Sequence, residues 1–178
     1  MHHIDLKNRK INRDISMKIV VLKLSGKALN EFTTNHEYIN LMQELKSHYD
    51  GVLIVHGAGK MISDWASAMN VQSSFVDGQR KTDKEMMDIV SAVQGGLTNS
   101  KIISHLHAKD IESIGLNGID RNLFVADYLD EQLGYVGKPK LVGKVDWLKE
   151  LMLSGVIPVY SSVCRDHDGN LMNVNADL

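Results

Sequence analysis

"GVLIVHGAGKMISDWASAMN", residues 51–70, changes its pattern halfway along. Gly51–Gly57 is β-branched and apolar with no polar face, the signature of a strand buried on both sides, as in a parallel sheet. Gly57 and Gly59 then allow a tight turn, and Lys60–Asn70 reads as a helix with Asn70 as its stop. Strand, glycine turn and helix in succession form half of a βαβ unit, and this half sets the expectation for the rest of the chain.

The alternation continues in both directions. Upstream, "KIVVLKL" (18–24) is a second buried strand, followed by a helix over 35–50 with Ile39, Met42 and Leu45 at helical spacing and Asn35 able to cap it. Downstream, Asp77-Gly78 within 73–82 signals a tight hairpin. A long helix opens at Asp83 and runs towards Lys109 with Met86, Val90, Val93 and Leu97 on one stripe, and Gly95-Gly96 either bends it or admits a close neighbour. "ESIGL" (112–116) is a third buried strand, 122–137 a second hairpin excursion, 145–155 an amphipathic helix stopped by Gly155, and "VIPVYSSV" (156–163) a fourth strand. The last stretch, "NLMNVNADL" (170–178), reads as the opening of a helix. The expected fold is therefore α/β, a three-layer αβα sandwich on a mainly parallel sheet.

The totals narrow the function classes. A net charge of −2 over 178 residues gives no basic surface for nucleic acid. The single cysteine, Cys164, excludes an intramolecular disulfide and fits a reducing, cytoplasmic setting. No apolar run reaches membrane-spanning length. Residues 1–16 are polar, lack a signal peptide's apolar core and read as an extension, with His2 and His3 as solvated tail; residues 17–178 form the domain.

In parallel sheets ligands bind beyond the carboxyl ends of the strands, and the candidate residues lie there. Lys23 sits in an otherwise apolar strand, which costs free energy unless its ammonium meets an anion or water. Ser25 and Gly26 follow it as a small turn whose amides can face a phosphate, and "HGAGK" offers a second such turn at the start of a helix. Neither is a Walker A loop, because Ile54 and Val21 stand where the first glycine belongs; Ile62 likewise breaks the dinucleotide fingerprint. His56 reads as a loop organiser rather than a catalyst, Cys164 as packing, and "DHDGN" (166–170) as a turn between short strands. Arg80 is suited to a bidentate grip on a carboxylate, Asn173 can donate to one, and Asp177 can hold a lysine ammonium.

Taken together, "KLSG", "IVHGAG", "GQRKTD", "DEQLGYVG" and "MNVNAD" resemble the amino acid kinase family in content and order. The resemblance implies transfer of a phosphoryl group from ATP, with Mg²⁺, to the side-chain carboxylate of N-acetyl-L-glutamate, a step of arginine biosynthesis, in a homodimer. It implies roles too. Lys23 stabilises the transferring phosphoryl; Gly57, Ala58, Ser25, Gly26 and Gly59 supply amides near substrate and phosphate; Arg80 and Asn173 clamp the α-carboxylate; Asp177 orients the lysine. Ala58 and Ser25 stand where many members carry glycine, and alanine is expected to crowd the ligand. The match covers the family's N-terminal, substrate-binding lobe; nothing in the sequence corresponds to its nucleotide lobe, so these 178 residues alone are expected to be inactive. The same pieces also suit a kinase of a related acid such as N-acetyl-aminoadipate, or a non-catalytic module that binds an acylated amino acid.

Overall fold

In a computed structural model, which describes residues 16–178, Gly51–His56 is strand β2 and pairs in parallel with β1 (Ile19–Leu24) and β8 (Ile157–Ser161). Strand β5 (Ser113–Asn117) adds in parallel to β8, giving the order β1-β2-β8-β5. Helices α1 (Gly26–Glu31), α2 (Glu37–His48) and α5 (Asn99–His107) cover one face, burying Phe32, Met42, Ile102 and Leu106 against Val52 and Ile54. Helix α6 (Asp146–Leu153) covers the other through Leu148 and Met152, packed with Leu116 and Tyr160. The result is the three-layer α/β sandwich that the alternation predicts. The polar extension and its two histidines lie outside the described residues, apart from Ser16.

The outer strands are less enclosed than their composition implies. β1 and β5 are the sheet edges, and α6 packs on the middle strands β2 and β8. Val21 on β1 is therefore 60% exposed and Ile114 on β5 40%, although both strands are apolar on both faces. The expectation of two-sided burial holds in the centre and fails at the edges.

A second sheet, not anticipated, joins β6 (Phe124–Tyr128), β7 (Val136–Leu141), β10 (Leu171–Val174) and β9 (Val163–Arg165) in that order. Only the β7–β10 pair is parallel. The excursion placed at 122–137 therefore extends to Leu141, and the strand placed at 156–163 breaks after Ser161, with Val163 belonging to the second sheet. The end of the chain is also corrected: Leu171–Val174 is a strand, not the start of a helix. Met172 and Val174 are buried while Asn173 and Asn175 alternate with them, a period of two.

Local chemistry accounts for the turns. Asp77 (φ 47°) and Gly78 (φ 78°) are both left-handed and join β3 (Phe75–Val76) to β4 (Gln79–Arg80), as a type I′ turn requires. The Asn35 side chain accepts from the Glu37 amide at 3.0 Å to cap α2, and Asn70 (φ 59°) and Gly155 (φ 89°) end α3 (Gly59–Ala68) and α6. In "DHDGN" the Asp166 carboxylate takes the amides of Asp168 and Asn170, closing the turn between β9 and β10.

The long helix is α4 (Lys84–Val90), a π-helical segment (Ser91–Thr98) and α5 in series, with the Asp83 carboxylate capping its start at 2.9 Å from the Met86 amide. Each π turn holds an extra residue, so the buried stripe slips. Val93 is followed on the inside by Gln94, Thr98 and Asn99, and Leu97, expected in the stripe, is displaced from it. A methyl on Gly95 would lie 2.8 Å from the Asn117 side-chain oxygen, so the chain approaches closely there.

Candidate active site

A cavity of about 360 Å³ opens beyond the carboxyl ends of β1, β2, β8 and β10. Seven of the nine residues singled out in the sequence line it: Lys23, Ser25, Gly57, Gly59, Arg80, Asn173 and Asp177. Neither Gly26 nor the Ala58 methyl group lines it. Gly26 (φ +51°) opens α1 behind Ser25, and Ala58 packs with Ile62, Ala66 and Met86 in the core. The alanine that was expected to crowd a ligand thus turns its methyl group inward, at φ −154°.

At one end, the Lys23 ammonium is ion-paired with the Asp177 carboxylate. Lys23 lies on the first strand and Asp177 in the turn that follows the last, 154 residues apart. The Asn175 side chain accepts from the Asp177 amide at 3.1 Å, an Asx-type turn that sets where the aspartate stands. Lys23 keeps one-third of its side chain exposed, which answers the cost of a lysine in an apolar strand.

At the other end, Arg80 is buried and largely committed. Its Nη1 donates to Ser73 Oγ, and its Nη2 to the Gly59 carbonyl and to Ser63 Oγ, each at 2.8 Å. The guanidinium carbon lies 4.7 Å from the centre of the Phe75 ring. A guanidinium has five N–H donors, so three are engaged and two remain for a ligand. Burial lowers its pKa, but it stays charged. Asn173 donates to Thr82 Oγ1 at 3.1 Å, which holds its amide over the cavity beside Arg80.

The glycine turn lines the same cavity through Gly57 and Gly59. All three of its carbonyls are engaged: Gly57 with the His56 ring at 3.2 Å, Ala58 with the Ile62 amide at 2.9 Å, and Gly59 with Arg80. The amides of Ala58, Gly59, Lys60 and Met61 have no acceptor among the described residues. Free amides at a helix start, with their carbonyls tied back, form an anion-binding concavity.

Gln94 and Ser162 also line the cavity, and the sequence reading missed both. They are buried, and the Gln94 amide donates to Ser162 Oγ at 2.9 Å. Gln94 was detectable as the one amide beside Gly95-Gly96 in an otherwise apolar run; Ser162 left no signal, because it lies where the fourth strand unexpectedly ends. Behind the turn, His56 is fully buried, and burial pushes its pKa down to about 4, so its ring is neutral. Cys164 packs with Ala126 and Met172, and burial raises its thiol to about 11.

An α/β sandwich whose strand ends gather two cations, a glycine turn and one carboxylate into a single cleft has the layout of an anion-binding site. Residues 18–178 match the sequence profile of the amino acid kinase family, and the chain belongs to that family. It is 32% identical over 163 residues to an acetylglutamate kinase of Parabacteroides distasonis, covering 90% of this chain and 62% of that protein. It is 37% identical over 174 residues to an acetylglutamate kinase of Hydrogenobaculum sp., covering 93% and 60%. Among solved structures it is similar to smu.665 from Streptococcus mutans, with a TM-score of 0.81 at 25% identity over 89% of this chain and 64% of that one. The chain thus spans about three-fifths of the length of these relatives. Among the described residues no helix is long and apolar enough to cross a membrane.

Proposed function

We propose that this chain forms the acid-binding part of an acetylglutamate kinase, which phosphorylates the side-chain carboxylate of N-acetyl-L-glutamate with ATP. The observation that carries the reading is the sharing of one cleft by Lys23, Arg80 and the glycine turn, which lines it through Gly57 and Gly59. A glutamate side chain, with a pKa of about 4.3, is already ionised at neutral pH, so the nucleophile needs no general base. The task is to bring two anions together, which cations and fixed amides accomplish by position and charge.

On this reading Arg80 and Asn173 take the α-carboxylate, with the two spare guanidinium donors and the Asn173 amide facing it. The side-chain carboxylate then lies towards Gly57 and Lys23. The Gly59 amide and the Ser25 hydroxyl face the terminal phosphate, Lys23 neutralises the charge that spreads over the transferring group, and Asp177 keeps the ammonium in place. These donors fit a phosphate. Asp177 is the one carboxylate on the cavity wall that could meet a Mg²⁺ ion, and an ion arriving with the nucleotide would supply further charge neutralisation there. On the same reading the 178 residues bind the acid but do not turn it over alone, and they pair as a homodimer, which the mass in solution tests.

The decisive experiment is a calorimetric panel of N-acetyl-L-glutamate, N-acetyl-aminoadipate and L-glutamate against the chain, followed by a turnover assay with ATP and Mg²⁺. The expected result is preferential binding of N-acetyl-L-glutamate without turnover. Binding of none of the acids contradicts the reading, and turnover at an ordinary kinase rate contradicts the division of labour.

A further inference from the structure

His56 makes two hydrogen bonds, and together they fix its protonation. The Asn99 amide nitrogen donates to the Val159 carbonyl at 2.9 Å, which identifies that atom as the NH₂ group. The same nitrogen lies 3.0 Å from His56 Nε2. A donor faces Nε2, so Nε2 accepts and carries no proton. The single proton of the neutral ring is then on Nδ1, and Nδ1 lies 3.2 Å from the Gly57 carbonyl, which can only accept. Both contacts call for one tautomer. Asn99 is itself buried where the π-helical segment passes into α5, and its side-chain hydrogen bonds go to His56, Leu116 and Val159, none of which lines the cavity.

A trans peptide is planar, so its C=O and the following N–H point in opposite directions. Fixing the Gly57 carbonyl towards the His56 ring therefore turns the Ala58 N–H away from the ring, to the side where Gly57 and Gly59 line the cavity. We propose that His56 is a positioning residue: held by Asn99 as the Nδ1–H tautomer, it anchors the Gly57 carbonyl and so aims the Ala58 amide at the anion in the cleft. The proposal rests on the reading of the glycine turn as the anion-facing element. It also explains how alanine serves at position 58, since the amide is what the site uses and the methyl is buried in the core.

The test uses the whole 178-residue chain, labelled with ¹⁵N. A long-range ¹⁵N–¹H spectrum of the histidine rings reads the His56 tautomer directly. Two substitutions then separate the bonds. In His56→Asn the side-chain NH₂ replaces Nδ1–H and can still donate to Gly57; in His56→Gln the side-chain oxygen reaches the Nε2 position and keeps only the Asn99 contact. The probe is inorganic pyrophosphate, followed through the Ala58, Gly59 and Lys60 amide signals. The expected result is an Nδ1–H ring, pyrophosphate affinity within 3-fold of wild type for His56→Asn, and a loss of at least 10-fold for His56→Gln. An Nε2–H ring overturns the proposal, even if neither variant folds. Equal affinity of both variants and wild type overturns it as well. Should wild type show no response to pyrophosphate, the anion-facing reading of the turn fails; positioning is then judged by the tautomer and by whether the Ala58 amide signal moves in His56→Gln but not in His56→Asn.

Discussion

Arg80 Nη2 donates to the Gly59 carbonyl at 2.8 Å, and this bond ties the β3–β4 hairpin to the first residue of α3. The guanidinium is thus both a candidate ligand for substrate and a strut of the turn beside it. Lysine cannot reproduce that role, having one point of charge where arginine has a planar fork. Arg80→Lys is expected to lower unfolding free energy by about 2–3 kcal/mol, from lost charged hydrogen bonds in a buried site, and to weaken N-acetyl-L-glutamate binding by more than about 10-fold. Chemical denaturation and calorimetry read the two effects separately.

The Lys23–Asp177 pair behaves differently, because both side chains are substantially open to water. Exposed pairs contribute under about 1 kcal/mol, so Asp177→Asn is expected to leave the denaturation midpoint nearly unchanged. Lys23→Ala, by contrast, removes a cation from the cleft and is expected to reduce pyrophosphate affinity by about 10-fold, with an equally small effect on stability. A large stability loss in either variant contradicts a functional rather than structural role for the pair.

His56 makes stability depend on pH. Its folded pKa, about 4, lies below the usual 6.5, so between those values the unfolded chain binds the proton that the folded chain refuses. Its contribution is fully present above pH 6.5, declines as pH falls through that window, and levels off below about pH 4. The total is on the order of 3 kcal/mol. Denaturation between pH 7 and pH 4 measures it, and a His56→Asn variant is expected to lose most of the slope.

Adjacent glycines give a sharp contrast. At Gly95 a methyl would meet the Asn117 side chain at 2.8 Å, whereas at Gly96 nothing lies within 4 Å. Gly95→Ala is expected to destabilise by about 1–3 kcal/mol through overpacking, and Gly96→Ala to be neutral or to stabilise by up to about 1 kcal/mol through helix propensity. Thermal unfolding of the two variants decides the comparison.

What was legible in the sequence was local chemistry that agrees with the global fold. Asp77-Gly78 specifies its turn, Asn70 and Gly155 specify helix ends, and the run of Gly51–Gly57 specifies a central strand. What was not legible depends on neighbours. Nothing in "KIVVLKL" says that β1 lies at an edge, and nothing local in Ser91–Thr98 announces the wide turns that exchange Leu97 for Thr98 on the inside. The run "LMNV" (171–174) alternates apolar and polar only over four residues, too short to stand out against the helix-cap residues Asn175 and Asp177 that follow, and its strand belongs to a sheet the sequence does not suggest. In the site, the residues with distinctive chemistry were found. Gln94 and Ser162 were not, since an amide and a hydroxyl gain meaning only where the fold brings them together.

The measurement that tests the central claim most directly is a calorimetric titration of N-acetyl-L-glutamate into wild type and Asn173→Asp. Asn173 lies on the cleft wall beside Arg80, and the substitution sets a negative charge where a carboxylate is to bind. The account predicts a one-to-one binding heat in wild type and an affinity loss of about 30-fold or more in the variant, equivalent to about 2 kcal/mol. No heat in wild type, or the same affinity in both proteins, contradicts it.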